Sequence, residues 1–107
     1  MPEAIAEYSL MGQEPEGPWF PVRVVLEKPE PSEEMSPAWS CAVTISPILS
    51  KAIAIYGEGS FQTLCLAARF AVQTLDTFLA DGGSLKYANG ELFEPDVFGF
   101  SLLPRAR

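Results

Sequence analysis

The sequence predicts an α+β domain: a four-stranded antiparallel meander with one long amphipathic helix packed on one face, then a short hairpin and a docked C-terminal tail. Three observations predict it. Apolar residues alternate with a period of two through short stretches before residue 57. From Ser60 onward the apolar period changes to three and four residues. Clusters of Pro and Gly punctuate the segments between.

Residues 4–10 alternate weakly, with Ala6, Tyr8 and Leu10 on one face. The turn-forming run GQEPEGP follows at 12–18. Residues 19–27, WFPVRVVLE, put Phe20, Val22, Val24 and Leu26 inward and Arg23 and Glu27 outward. Pro21 has no backbone donor, so it belongs at the strand's start or on an unpaired side. Residues 28–38, KPEPSEEMSPA, hold three prolines and three glutamates and read as an acidic loop. Residues 39–45 alternate again, with Trp39, Cys41, Val43 and Ile45 on one face, and Pro47 stops them. Residues 52–56 form the fourth strand.

The helix then carries Phe61, Leu64, Ala68, Val72, Leu75 and Leu79 as its apolar stripe, widened by Cys65, Ala71 and Phe78. Gln62, Arg69, Gln73, Asp76 and Thr77 face away, and Leu66 falls towards this polar side. Asp81-Gly82-Gly83 ends the helix, since glycine tolerates the left-handed conformation just past a C-terminus. A hairpin with a two-residue Asn89-Gly90 turn places Tyr87 opposite Leu92. The apolar tail from Val97 packs on the core.

The 107 residues form one domain, 1–107, long enough to bury a single core without metals or disulfides. The net charge of −7 rests on 14 acids against 7 scattered bases. Counterion release at a nucleic-acid backbone needs clustered Lys and Arg, so neither nucleic acid nor an anionic membrane is an expected partner. The apolar stretch 61–79 is interrupted by Gln62, Arg69, Gln73 and Asp76 and does not read as a membrane span. No signal peptide is evident at the N-terminus, so the cytoplasm is the default address. Cys41 and Cys65 are both expected at the sheet–helix interface as free thiols.

The chain has no histidine, which removes Ser-His and Cys-His nucleophilic pairs and most zinc or iron sites. Ser50 and Lys51 are merely adjacent, and Cys65 lies on the apolar stripe. Glu91, Glu94 and Asp96 match no calcium loop and read as acidic surface, so no metal and no cofactor are expected. Residues 56–66, YGEGSFQTLCL, suggest a phosphate-binding turn at first sight. A Walker loop needs a lysine that is absent here, and the third glycine of a dinucleotide fingerprint is replaced by Gln62. The meander also brings the acidic loop beside this helix start, where carboxylates suit the positive dipole end and repel phosphate. Gly57 then serves the turn, and Gly59 or Ser60 caps the helix.

The stretch from Gly57 to Leu64 resembles the G-x-D-S-x-Q-A-L motif of a group of small bacterial domains, through Gly57, Ser60, Gln62 and Leu64. Gly59 stands where that motif has Asp, and Thr63 where it has Ala. The resemblance implies strands before the motif and a helix starting within it, and some domains of this kind resemble toxin-immunity proteins. The expectation is therefore a non-enzymatic binding protein that neutralises a cognate, basic toxin. Glu30, Glu33 and Glu34 are the expected contacts, with Trp19 as an aromatic anchor. Two alternatives stay open: a small-molecule domain with its pocket between sheet and helix, and an accessory subunit that oligomerises through a sheet edge or the tail.

Overall fold

The strand with the clearest alternation lies inside the sheet, with a partner on each side. The computed structural model describes residues 3–34 and 37–102. In it β2 (Trp19–Glu27) buries Val22, Val24 and Leu26 and exposes Arg23, as side chains alternating across a strand require. β1 (Ala4–Gln13) pairs antiparallel along β2. β4 (Trp39–Ser46) pairs with β2 from Arg23 to Leu26, so Pro21 lies beyond the part that β4 covers. β5 (Ile53–Gly57) pairs with β4 in turn. Val43 stands opposite both Leu26 and Ile53, so β2 and β5 flank β4 on opposite edges. The expected meander is present.

Among the described residues the sheet has six strands rather than four. One of the two additional strands is too short to give a periodic signal, and the other is the first arm of the expected hairpin, which joins the main sheet. β3 (Glu30–Pro31) lies within the expected acidic loop and pairs with Ser40 and Trp39. β6 (Ser84–Lys86) adds to the outer edge of β1, opposite Met11, Gly12 and Gln13. The spatial order is β5-β4-β2-β1-β6, with β3 continuing the line of β2 along β4.

The hairpin after the helix forms with a different register. Lys86, not Tyr87, stands opposite Leu92. The Gly90 amide donates to the Tyr87 carbonyl at 2.9 Å, and the Tyr87 amide donates to the Glu91 carbonyl at 2.8 Å. The loop is therefore three residues, with Gly90 at φ 94°. Glycine supplies the bulge of a three-residue hairpin here, rather than half of a two-residue turn.

Helix α1 (Gly59–Ala80) crosses one face of the sheet, over β4 and β5 in near-equal measure. Ala67, Ala71 and Leu75 meet Val22, Val43 and Ile45 in the core. The buried stripe is rotated from the expected one: it comprises Thr63, Ala67, Ala71, Val72, Leu75 and Asp76. Phe61 is 79% exposed, Cys65 is exposed, and Asp76, expected outside, is 5% exposed. Of the expected stripe, Ala71, Val72 and Leu75 are buried and Leu64, Ala68, Phe78 and Leu79 pack against the core, so it is turned and not replaced. Small residues at 67 and 71 bring the helix close to the sheet, and the side chains that touch need not be the largest.

The rest of that face is closed by the chain's end. Phe93 is buried, and its ring lies 6.2 Å from Tyr8, 5.8 Å from Tyr87 and 5.9 Å from Phe98. A 3₁₀ turn, Pro95–Phe98, sets Phe98 edge-on to Tyr8 at 5.5 Å. The Arg69 guanidinium donates to the Ser101 carbonyl at 3.0 Å and ties the tail to the helix. The expected docked tail is thus observed as far as Leu102; residues 103–107, and Met35 and Ser36 of the expected loop, lie outside the described residues. Among the described residues no helix is long and apolar enough to cross a membrane.

Candidate functional site

At one end of the sheet, Pro31, Trp39 and Gly57 lie in one row across three strands, and Glu30, Ser40 and Tyr56 in the next. The acidic segment and the helix start are therefore neighbours, as the meander implies. Residues directly opposite one another share a face. Ser40 alternates with the buried Cys41, so Glu30, Ser40 and Tyr56 project from the open face of the sheet. With strands about 4.8 Å apart, Glu30 and Tyr56 are roughly 10 Å from each other. Glu33 and Glu34 are exposed just beyond β3, where the Ser32 amide closes the loop on the Ala38 carbonyl at 2.8 Å. Glu58 is exposed at the helix entrance, and Phe61 follows in the first turn. Carboxylates and two exposed aromatic rings thus share one end.

Trp19 is elsewhere. It opens β2, eleven residues before Glu30 in extended chain, which puts it roughly 30 Å away along the strand direction. The Lys86 ammonium sits 4.2 Å from its ring centre, so a cation covers one face of the indole. An exposed ion pair between Arg23 and Glu7 lies on the open face between these ends. The structure brings the three predicted glutamates together and leaves Trp19 out. Tyr56 and Phe61 are the residues that sequence reasoning missed. A helix with two possible stripes was the available hint for Phe61, whereas Tyr56 becomes visible only once the strand register is known.

The residues of the helix-start motif have structural roles. A Cβ on Gly57 would lie 2.8 Å from the Thr63 hydroxyl oxygen and 3.1 Å from Thr63 Cα. Gly59 has φ 75°, a conformation that favours glycine. The Glu58 amide donates to Gln62 Oε1 at 2.6 Å, and the Thr63 hydroxyl donates to the Gly59 carbonyl at 2.7 Å. The cap position is Glu58, with no side-chain cap bond, and Ser60 is exposed. The expected capping by Gly59 or Ser60 is thus replaced by Gln62 reaching back, in the manner of the distal half of a capping box.

Other reactive groups are dispersed. Cys41 is 1% exposed and its thiol donates to the Glu27 carbonyl at 3.0 Å. Burial pushes its pKa up. Cys65 is exposed on the helix, so the two thiols do not share the sheet–helix interface as expected. Asn89 bonds Glu91 through its side chain at 3.1 Å. Among the described residues no group of three His, Cys, Asp or Glu side chains is placed to hold a metal ion.

Two of the concavities that border the helix have largely apolar walls. One, of about 230 Å³, lies between β1, β2, the helix and the tail, lined by Tyr8, Val24, Leu26, Ala68, Val72 and Phe100. The other, of about 430 Å³, lies near the helix C-terminus between Phe20, Ile48, Thr74 and Phe78, with Glu14 and Asp81 at its margin. The Tyr8 hydroxyl has its pKa pushed up to about 12, by burial first and by its hydrogen bond with Tyr87 second. Comparison of the chain with protein-family models, curated proteins and solved structures gave no match.

Proposed function

We propose that this chain is a non-enzymatic bacterial binding protein, of the toxin-immunity kind, that neutralises a basic partner by covering it with its acidic end. The observation that carries this reading is Phe61: a phenyl ring 79% exposed, at the same end as Glu30, Glu33, Glu34 and Glu58. An exposed aromatic ring with carboxylates at the same end has the elements of an anchor with a polar rim. The net charge of −7 adds a field that speeds association with a cationic surface and selects against acidic ones. Tyr56, on the open face beside Glu30, extends the surface. Trp19 is not part of this reading.

The test uses the basic partner encoded beside this gene in its host, purified, with association and dissociation measured at several salt concentrations. Replacing both Glu33 and Glu34 by lysine is expected to slow association at least tenfold and flatten its salt dependence. Phe61→Ser is expected to speed dissociation with little change in association. Binding and salt dependence unchanged in both variants would overturn the proposal.

A second reading draws on the 230 Å³ cleft between sheet, helix and tail, whose walls are aliphatic and aromatic. It suits a small apolar ligand such as a short acyl chain. A rise in thermal midpoint with short-chain fatty acids, lost in Ala68→Phe, supports it; no shift with any of them counts against it.

A further inference from the structure

The two outer edges of the sheet are treated differently. Beyond β6, the chain folds back on itself: Leu92 bridges to Lys86, and the Phe93 amide donates to the Leu85 carbonyl at 3.1 Å. That edge is covered along residues 11–13, and the remainder of β1, residues 4–10, carries the charge of Glu7. At the other end, β5 pairs with β4 alone, and among the described residues neither a strand nor a loop backbone hydrogen bond reaches its far edge. Soluble proteins guard such edges with lysine, proline or bulges. Ile53–Gly57 contains no charge and no proline.

We propose that β5 is a self-association edge: two copies pair antiparallel through it, about a two-fold axis at Ile55, into one continuous sheet. A two-fold interface must be complementary to itself, and three separate features meet that demand. The first is the edge itself, whose outward amides and carbonyls find each other in the antiparallel arrangement. Side chains that share a face must lie opposite one another, which sets Ile55 against its symmetry mate and Ala54 against Tyr56 of the second copy.

The second is charge. β5 is flanked by exposed Lys51 before it and exposed Glu58 after it. Antiparallel pairing brings the lysine of each copy beside the glutamate of the other, one residue out of direct register. A parallel pairing would instead set like charges together.

The third is the helix. It packs mainly on β4 and β5, so pairing two β5 strands at about 4.8 Å brings the two helices to within roughly 10 Å of each other. That is the upper end of ordinary helix–helix packing distances, about 8–10 Å. Ile55 lies four residues before Gly59, about 13 Å along the strand, and a helix covers that distance in about nine residues. The part of α1 beside the axis is therefore near residues 66–70. Ala68 and Val72 face the tail, which leaves Leu66 and Phe70 on the opposite flank, above the free edge. Leu66 is 41% exposed and Phe70 half-buried. Both are apolar residues on a flank that also carries Gln73 and Thr77. A five-residue edge alone is short of the roughly 1,200 Å² that a stable complex buries, and the helix flanks supply the remainder.

The inference is independent of the toxin reading. Its test is sedimentation equilibrium of the full chain, with circular dichroism to confirm folding of each variant. The wild type is expected to reach a mass of twice 11.7 kDa as concentration rises. Leu66→Glu is expected to weaken the dimer at least a hundredfold, with an unchanged helix signal. Lys51→Glu and Glu58→Lys singly are expected to weaken it roughly tenfold, and the double reversal to restore it. A chain monomeric to millimolar concentration overturns the proposal. So does a dimer indifferent to Leu66→Glu, or a double reversal no tighter than the single ones.

Discussion

The Glu58 amide donates a 2.6 Å hydrogen bond to the Gln62 side chain, and this contact closes the entrance to the helix in place of a serine cap. Losing a capping contact costs about 1 kcal/mol, so Gln62→Ala is expected to lower stability by that amount. The two glycines before it are expected to differ. Gly59→Ala meets open space and carries only the cost of a positive φ, about 1 kcal/mol. Gly57→Ala drives a methyl against Thr63, whose backbone is fixed in the first turn, and is expected to cost more, about 2 kcal/mol or above. Urea denaturation of the three variants gives the order. Gly59→Ala more damaging than Gly57→Ala would contradict the packing described.

The rotation of the helix makes a second prediction. Leu75 is 1% exposed and Phe61 is 79% exposed, although both fit the apolar spacing. Leu75→Ala is expected to cost about 3 kcal/mol through the cavity it leaves. Phe61→Ala is expected to change stability by less than about 0.5 kcal/mol. Thermal or urea midpoints of the pair decide the matter. A large loss at Phe61 would show that the ring is packed after all.

The same helix shows where the sequence was legible and where it was not. β2 and β4 could be read residue by residue because one face is buried and the other wet, which forces alternation. The existence and length of α1 were legible from its period and from the Asp81-Gly82-Gly83 ending. Its rotation was not, because Phe61 and Cys65 compete with Thr63 and Ala67 for the same role, and packing distance chose the second pair. β3 has two residues, too few for any period, and forms because β4 offers it a ladder, whereas β6 was legible as a hairpin arm but not as a neighbour of β1. Of the candidate site, the glutamates were visible as charge in a loop. Their neighbours were not, since Tyr56 joins Glu30 through strand register and Phe61 through helix phase. Trp19 stands apart from the glutamates because extended chain carries them to opposite ends of the sheet.

Cysteine chemistry offers a third check. Cys41 is buried with a raised pKa, while Cys65 lies on the exposed side of the helix. The thiolate is the reactive form, so burial and a raised pKa both slow Cys41. An aromatic disulfide reagent at pH 8 is expected to titrate one thiol per native chain quickly and the second only in denaturant. Cys65→Ser should remove the fast phase. Two fast thiols in the native wild type would place Cys41 outside the core.

Tyr8 makes the alkaline limit of stability testable. Its pKa is pushed from 10.0 to about 12, by burial first and by the Tyr87 contact second. The native state therefore keeps a proton that the unfolded chain releases between those values. The resulting contribution to stability is complete below pH 10 and is lost as pH rises through about 12. Tyr8→Phe cannot titrate, so its stability is expected to decline less steeply than the wild type's across this window. Urea midpoints at intervals from pH 9 to 12 compare the two slopes. Parallel curves would mean that the Tyr8 hydroxyl titrates alike in folded and unfolded chains, which the Tyr8–Phe93–Phe98 cluster and the Tyr87 contact argue against.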